Sequence, residues 1–201
     1  MVGIKFTLID VEVDEENHFV PVGTVKNRSR VSTARRAPRD PSRRNYPREY
    51  VTSLSEKKAR MAAGKITSGI VAAADTIVYL DGQILNKPKD SDDAIRMLNL
   101  LSERTHEVFT GFTLLQVPGN RIVRDSEVTD VTFRKLEPEE IQEYVQSGAP
   151  FDKAGAYGIQ DDLSALFVER INGDFYNVVG LPLPKFYLAL KTFSDAEKNP
   201  K

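Results

Sequence analysis

The sequence predicts a mixed α/β fold in which a partly antiparallel sheet is flanked by helices. The first observation is that strand-like segments interleave with segments whose apolar residues recur at helical spacing. The second is that the short turns Asp81-Gly82 and Asn172-Gly173 each separate two strand-like segments, and hairpins of this kind force antiparallel neighbours. We therefore expect a sheet that is not purely parallel, within a single domain covering residues 1–201.

Strands are predicted where apolar residues alternate with polar ones or form short uninterrupted runs. Residues 4–13 alternate, whereas residues 70–74 are continuously apolar or small and lead into Asp75. In chain order, the predicted strands are residues 4–13, 70–74, 77–80, 83–85, 108–117, 128–133, 165–171 and 175–179.

Helices are predicted where apolar residues return every three or four positions between start and stop signals. The first follows Pro47 and ends near Gly64, and the second is predicted to be capped by Ser91. The third begins at Pro138 and ends near Gly148. The predicted helices are residues 49–65, 91–101, 138–146 and 183–193.

The composition excludes several kinds of chemistry. The absence of cysteine rules out disulfides, thiolate-bound zinc, iron–sulfur clusters and a cysteine nucleophile. The two histidines, His18 and His106, are too few for a multi-histidine metal site. Catalysis must therefore use carboxylates, hydroxyls, lysines, arginines or a metal held by oxygen. A net charge of -1 gives no overall attraction to nucleic acid, and no apolar run predicts a membrane span or a secretory signal.

Residues 16–48 are predicted to form a disordered, arginine-rich insert. Between Lys26 and Arg48 there are eight arginines and three prolines, with Asp40 as the single acidic residue. So few apolar side chains cannot bury enough surface to offset the entropy of ordering the segment. Two interpretations stay open, a solvated insert without a role and an arm that binds nucleic acid or an acidic partner.

Asp75 is the first candidate for chemistry. It follows the apolar run 70–74, which places its carboxylate at or near a buried strand end. Because burial disfavours an ionised carboxylate, we expect Asp75 to have a cationic or metal partner, as a general base or metal ligand would. The alternative is an aspartate that caps nearby backbone amides.

Three lysines are candidates for contact with phosphate. Lys58 lies on the first predicted helix, whereas Lys87 and Lys153 stand beside proline or glycine, where backbone can approach a ligand. An ammonium group in such a place suits phosphate oxygens, and the alternative is a solvated surface lysine. The sequence contains neither a P-loop nor a Rossmann glycine motif.

Small residues and glycines surround Tyr157 and Gln160 in the segment 152–160. The Gln160 amide offers both a donor and an acceptor, which matches the imide edge of uracil or thymine. The alternative is a glycine-rich turn with Tyr157 in the core. His106 is a further candidate, either as an acid or base or as a structural hydrogen-bonding side chain.

Six segments carry motifs that occur in the same order in one known family. They are residues 74–78, 86–88, 94–102, 105–111, 152–160 and 173–182. On these segments, from about Tyr50 to Leu190, the chain resembles the Maf family of nucleoside triphosphate pyrophosphatases. Residues 3–15 also resemble the family segment that ends in an acidic pair, here Asp14 and Glu15.

The resemblance implies a Maf/ITPase-like two-lobed architecture and a cytoplasmic, usually homodimeric hydrolase that depends on a divalent cation, Mg²⁺ or Mn²⁺. It implies cleavage of dTTP, UTP or modified pyrimidine nucleotides to the monophosphate and pyrophosphate. Asp75 would accept the proton of the attacking water and bind metal, while Thr76 and Gln160 would set base specificity. The phosphate and metal site would contain Glu15, Lys58, Lys87 and Lys153.

One family motif is missing from its usual place. Family members carry a Ser-x-Ser-Pro-Arg-Arg loop ahead of the segment that resembles residues 3–15, whereas the nearest matches here, residues 32–36 and 41–44, follow Glu15. No role is transferred to their arginines. Two alternatives to an active enzyme follow, a nucleotide-binding protein that lacks the phosphate loop and a nucleic-acid-binding module that uses the arginine-rich segment.

Overall fold

A computed structural model of the protein describes residues 7–11, 45–119 and 121–198. The helices in these ranges are α1 Asn45–Ala63, α2 Ser91–Leu101, α3 Pro138–Gln146, α4 Phe175–Val179 and α5 Leu183–Lys198. The strands are β1 Gly69–Leu80, β2 Gln83–Leu85, β3 Thr105–Val117, β4 Ile122–Phe133 and β5 Val168–Asn172. Short 3₁₀ turns cover Ala149–Asp152, Ala154–Ala156 and Ser164–Phe167.

The described strands form one open sheet in the order β2-β1-β3-β4-β5. Each pairing is antiparallel, and the β1–β2 hairpin turns at Asp81-Gly82 as its sequence predicts. Asp81 and Gly82 both have positive φ, the conformation that a tight two-residue hairpin requires. The α/β fold with antiparallel pairing and flanking helices is therefore confirmed.

Helices cover both faces of the sheet. On one face, α1 places Val51 and Leu54 against Ile77 and Phe109. Phe112 of β3 points to the opposite face, because alternate residues of a strand face opposite ways, and it packs there against Phe186 of α5. The larger core, built with α2 and α3, is centred on side chains such as Leu98, Phe133, Ile141, Tyr144 and Tyr157. No helix in the described ranges is long and apolar enough to cross a membrane.

The predicted strand at residues 175–179 is wrong, because this segment is helix α4. Its β-branched and aromatic residues favour a strand locally, but tertiary contacts decide otherwise. The Asp174 side chain accepts a hydrogen bond from the backbone N–H of Tyr176, which caps the helix. The buried Asn177 amide then donates to the carbonyl oxygen of Val108 at 3.0 Å, fastening the helix to β3. The second predicted hairpin is therefore absent, and only β5 remains of it.

Smaller corrections concern element ends. The strands predicted at residues 70–74 and 77–80 are one continuous strand, β1, so Asp75 lies inside the strand and not at its end. The cap of α2 is Asp90, whose carboxylate accepts from the N–H of Asp93, and not Ser91. Residues 7–11 of the strand predicted at 4–13 have no regular structure, and the rest of that range lies outside the described residues. Residues 16–44 of the predicted insert also lie outside them, whereas residues 45–48 form the first turn of α1. Pro47 fits in that turn, where a missing N–H costs nothing.

Candidate functional site

A cavity of about 220 Å³ opens beside β1, where α1, the loop after β2, the 3₁₀ turns and the end of α4 converge. Six of the candidate residues that the structure describes line it, namely Lys58, Asp75, Thr76, Lys87, Lys153 and Gln160. Glu15 lies outside the described residues. The fold thus places carboxylate, ammonium, hydroxyl and amide groups from separate elements around one cavity.

The cationic partner expected for Asp75 is Lys58. The Lys58 ammonium donates a hydrogen bond to Oδ1 of Asp75, whose side chain is 6% exposed. Because this ammonium compensates a carboxylate that is almost removed from solvent, the ionised form of Asp75 can persist in the wall of the cavity.

Gly111 allows α1 to lie close enough for this ion pair. It is the register partner of Asp75 on β3. A Cβ at position 111 would lie 2.6 Å from the carbonyl carbon of Val51, closer than real side chains come to backbone. Lys58 lies two turns further along α1 than Val51, on the same face of the helix. The missing side chain at Gly111 therefore allows α1 to lie where Lys58 can reach Asp75.

Lys153 is held by its neighbours at the far side of the cavity. Its ammonium donates to the carbonyl oxygen of Ala149 at 2.7 Å and to Asp152 at 2.8 Å, and it lies 3.4 Å from Asp161. Burial lowers the pKa of Lys153, but the hydrogen bond to Asp152 and the nearby carboxylates outweigh it, and the net pKa is raised. Lys153 therefore stays positively charged.

Two glycines give the 152–160 segment its shape. A Cβ on Gly158 would lie 2.7 Å from Cε of Lys153, so the glycine leaves room for that side chain in the position it occupies. Gly155 has a φ of 70°, and its N–H donates to the carbonyl oxygen of Asn86 at 3.1 Å. This bond ties the segment to the loop that carries the exposed Lys87. The glycines thus bring two ammonium groups to the same cavity.

The remaining wall is formed by Thr76, Tyr157, Gln160 and the end of α4. The Thr76 hydroxyl lies 2.9 Å from that of Thr110, and Gln160 is exposed at the rim. Tyr157 is buried, and its hydroxyl lies 2.7 Å from Nε2 of His106. Burial raises the pKa of Tyr157.

His106 is a core side chain and not part of the cavity wall. It is 1% exposed and packs edge-to-face against Phe133 and Tyr157, with ring centroids 5.0 and 5.4 Å away. Burial lowers the pKa of His106 to about 3, so the ring is neutral near pH 7. The structural interpretation of this histidine therefore holds, and its acid or base role does not.

Comparisons with known proteins identify the family of the chain. A family model described as "Maf-like protein" matches residues 2–193. The chain belongs to the Maf family. It is 49% identical over 145 residues to the dTTP/UTP pyrophosphatase of Carboxydothermus hydrogenoformans, which covers 72% of this chain and 77% of that protein.

Two further Maf relatives extend this likeness. The dTTP/UTP pyrophosphatase of Salinibacter ruber is 49% identical over 150 residues, 74% of each chain. The protein of the same name from Dictyoglomus turgidum is 38% identical over 192 residues, which is 96% of this chain and 87% of that protein. The similarity therefore includes all the elements that line the cavity.

The donor set suits one mode of metal binding in this Maf protein. In the described ranges, no three histidine, aspartate or glutamate side chains are grouped as a self-contained metal site. Asp75 nevertheless presents a carboxylate in the cavity wall. Mg²⁺ commonly binds through one or two carboxylates together with substrate phosphates and water, and oxygen donors are the kind it prefers. The residues present fit a cation that arrives with a nucleotide.

Three residues that contribute to the site were not predicted from the sequence. Gly111 sets the approach of α1, while Thr110 and Asn177 connect the Thr76 hydroxyl to the core. All three lie inside segments that resemble the Maf family, residues 105–111 and 173–182. The available signal is a polar or glycine residue within an otherwise apolar stretch, and the partner of each is known only from the tertiary structure.

Proposed function

We propose that this protein hydrolyses dTTP, UTP or modified pyrimidine nucleoside triphosphates to the monophosphate and pyrophosphate. It is a nucleoside triphosphate pyrophosphatase of the Maf family, and its relatives named dTTP/UTP pyrophosphatase match most of its length. The observation that carries the proposal is the cavity that joins Asp75 and three lysines to Thr76 and Gln160.

In the proposed reaction, a water molecule attacks the α-phosphorus and the bond to the β-phosphate oxygen breaks. Asp75 accepts the proton of that water, since its carboxylate is kept ionised by the ammonium of Lys58. Pyrophosphate leaves with the electron pair of the broken bond, so negative charge grows on its oxygens. Cations placed beforehand at that position stabilise the transition state.

Lys87 and Lys153 supply such cations from the protein itself. Lys153 is fixed by Ala149 and Asp152, which keeps its charge in place before the substrate arrives. Asp75 and Glu15 are the proposed ligands of a divalent cation, Mg²⁺ or Mn²⁺. When bound, such a cation would neutralise phosphate charge and help to orient the substrate. A homodimer in the cytoplasm completes the proposal and rests on the family resemblance alone.

The decisive experiment measures pyrophosphate release from UTP and dTTP by the full chain, with Mg²⁺ and with the metal chelated. The proposal expects release that requires the metal. Calorimetry on the same preparation separates the first alternative, because a nucleotide-binding protein would bind UTP without releasing pyrophosphate. Deletion of residues 26–44, which spares α1, separates the second. A nucleic-acid-binding module would show salt-sensitive affinity for nucleic acid that this deletion abolishes.

A further inference from the structure

A chain of hydroxyl groups runs from the core to the cavity wall. Thr76 on β1 and Thr110 on β3 are register partners, and their Oγ1 atoms lie 2.9 Å apart. Oγ1 of Thr110 lies 2.8 Å from the backbone carbonyl oxygen of Asn177. Thr110 and Asn177 are fully buried, so solvent cannot rearrange this chain.

The direction of each hydrogen bond follows from counting protons. A carbonyl oxygen only accepts, and a hydroxyl has one proton. Two oxygens 2.8 Å apart repel unless a proton lies between them, so Thr110 must donate to Asn177. The proton between the two threonines must then come from Thr76, since Thr110 has none left. The Thr76 oxygen consequently turns lone pairs, and no proton, toward its other neighbours.

Those other neighbours include the cavity. Thr76 lines it together with Gly180, and a Cβ built on Gly180 would lie 3.6 Å from the Thr76 oxygen. The absent side chain at Gly180 therefore leaves the oxygen uncovered on that side. A ligand group that meets it must donate a hydrogen bond.

The anchor of the chain is itself fixed. The Asn177 side-chain amide donates to the carbonyl oxygen of Val108 and to Oγ1 of Thr129, both at 3.0 Å. The Asn177 carbonyl also accepts from the N–H of Gly180 at 3.1 Å, which leaves one lone pair for Thr110. Reversing the chain would require moving α4 relative to β3, so the acceptor character of Thr76 is built into the fold.

We propose that Thr110 is a positioning residue for base specificity, which holds the Thr76 hydroxyl as a hydrogen-bond acceptor and so selects bases that carry an N–H on their pairing edge. The inference rests on the proposed function, and it adds a structural cause for the preference for uracil and thymine nucleotides over cytosine nucleotides. Uracil and thymine carry a proton on N3. Cytosine presents an unprotonated N3, which would place a lone pair against a lone pair and leave both groups unpaired.

The test compares kcat/KM for UTP and CTP in the full chain and two variants. Thr110→Val keeps the shape but removes the acceptor, and the Asn177 carbonyl retains its bond from Gly180. The Thr76 hydroxyl can then rotate and donate to cytosine, so the UTP:CTP ratio should fall by about tenfold or more. Thr110→Ser keeps the hydroxyl and should preserve the ratio. Thr132→Val is the matched control. It removes a cross-strand hydroxyl whose Oγ1 lies 2.9 Å from Oγ1 of Thr105, and neither residue lines the cavity, so the UTP:CTP ratio should again be preserved.

The outcomes separate this inference from the proposed function. If the unmodified chain prefers UTP and Thr110→Val keeps the same ratio, the inference is overturned and the function stands. If no nucleotide is hydrolysed, the proposed function fails. The inference is then tested by calorimetric affinities, since the ratio of the affinities for UMP and CMP should fall in Thr110→Val and stay unchanged in Thr110→Ser. If Thr110→Val does not fold, N3-methyl-UTP is compared with UTP on the unmodified chain. Affinity weaker by about tenfold or more supports the acceptor at Thr76, and smaller weakening or equal affinity overturns it.

Discussion

Lys58 on α1 donates a hydrogen bond to the carboxylate of Asp75 on β1, and this pair joins the first helix to the sheet at the wall of the cavity. The Asp75 side chain is 6% exposed and that of Lys58 is 22% exposed. A carboxylate so far from solvent is costly unless a cation compensates it. The same contact therefore contributes to the stability of the fold and to the chemistry proposed for the site.

Replacing Asp75 by asparagine should remove most turnover while leaving the protein folded. The amide has the same size but cannot accept the proton of the attacking water, and loss of a general base typically costs about a hundred- to ten-thousandfold. Pyrophosphate release from UTP measures the effect, with circular dichroism as the check on folding. Asp92→Asn, an exposed change in the first turn of α2, is the matched control. Release by Asp75→Asn within about threefold of the parent would contradict the assignment.

Replacing Lys58 by methionine should destabilise the protein through Asp75. Because Lys58 is partly exposed, we expect a loss of about 1–2 kcal/mol, less than for a fully buried pair. In an Asp75→Asn background the buried charge is absent, so the same change should cost much less. Urea unfolding of the two single variants and the double variant measures this coupling. Lys191→Met on the exposed face of α5 serves as control, and strictly additive costs for Lys58 and Asp75 would refute the coupling.

Gly111→Ala should lower both stability and turnover. The new Cβ would lie 2.6 Å from the carbonyl carbon of Val51 and 2.7 Å from the backbone N of Thr52. Backbone cannot yield as a flexible side chain can, so α1 must move away and carry Lys58 with it, at a cost of about 1–3 kcal/mol. Urea unfolding and pyrophosphate release measure the two effects. At Gly64 the nearest atom is 3.5 Å from the built Cβ, so Gly64→Ala should change neither, and equal behaviour of the two variants would argue against this role of Gly111.

Local signals predicted much of the fold. Helix α3 begins at Pro138 and ends at Gln146, as predicted. Its first turn is stabilised locally by the proline and by a capping box formed by Glu137 and Glu140. The Asp81-Gly82 hairpin was equally local. Helix α4 could not be predicted in this way. Its five residues favour a strand, and the contacts of Asn177 with Val108 and Thr129, far away in the sequence, hold it as a helix.

The candidate site, like the fold, was predicted only where local sequence decides it. The requirement of Asp75 for a cationic partner followed from its apolar surroundings, but the identity of that partner did not. Lys58 was one of three lysine candidates, and its choice depends on α1 crossing β3 at Gly111. The role of Thr110 depends on its register with Thr76 and on α4, and neither is encoded within a few residues of it.

His106 should make the protein less stable as the pH falls. Burial lowers its pKa to about 3, whereas an unfolded histidine has its pKa near 6.5. Between these pKa values the histidine is protonated in the unfolded chain but not in the folded chain. The free energy of unfolding therefore decreases toward low pH by up to about 1.4 kcal/mol per pH unit. His106→Gln can still bond Tyr157 but does not titrate. Unfolding free energies measured between about pH 5 and pH 7 should therefore fall less steeply in the variant, and identical slopes would contradict the prediction.

Gln160→Ala should narrow the preference for UTP and dTTP over CTP. The Gln160 amide lines the same cavity as Thr76 and can donate a hydrogen bond to a carbonyl oxygen on the imide edge of uracil or thymine, beside the N3–H assigned to Thr76. Cytosine has an amino group where uracil has a carbonyl, so a mismatched partner leaves polar groups unpaired at about 1–3 kcal/mol each. Calorimetric affinities for the three nucleotides measure the gap without requiring turnover. Gln142→Ala, an exposed change on α3 away from the cavity, should leave the gap intact. Equal affinity of the unmodified chain for UTP and CTP would remove both the role of Gln160 and the pyrimidine preference that we propose.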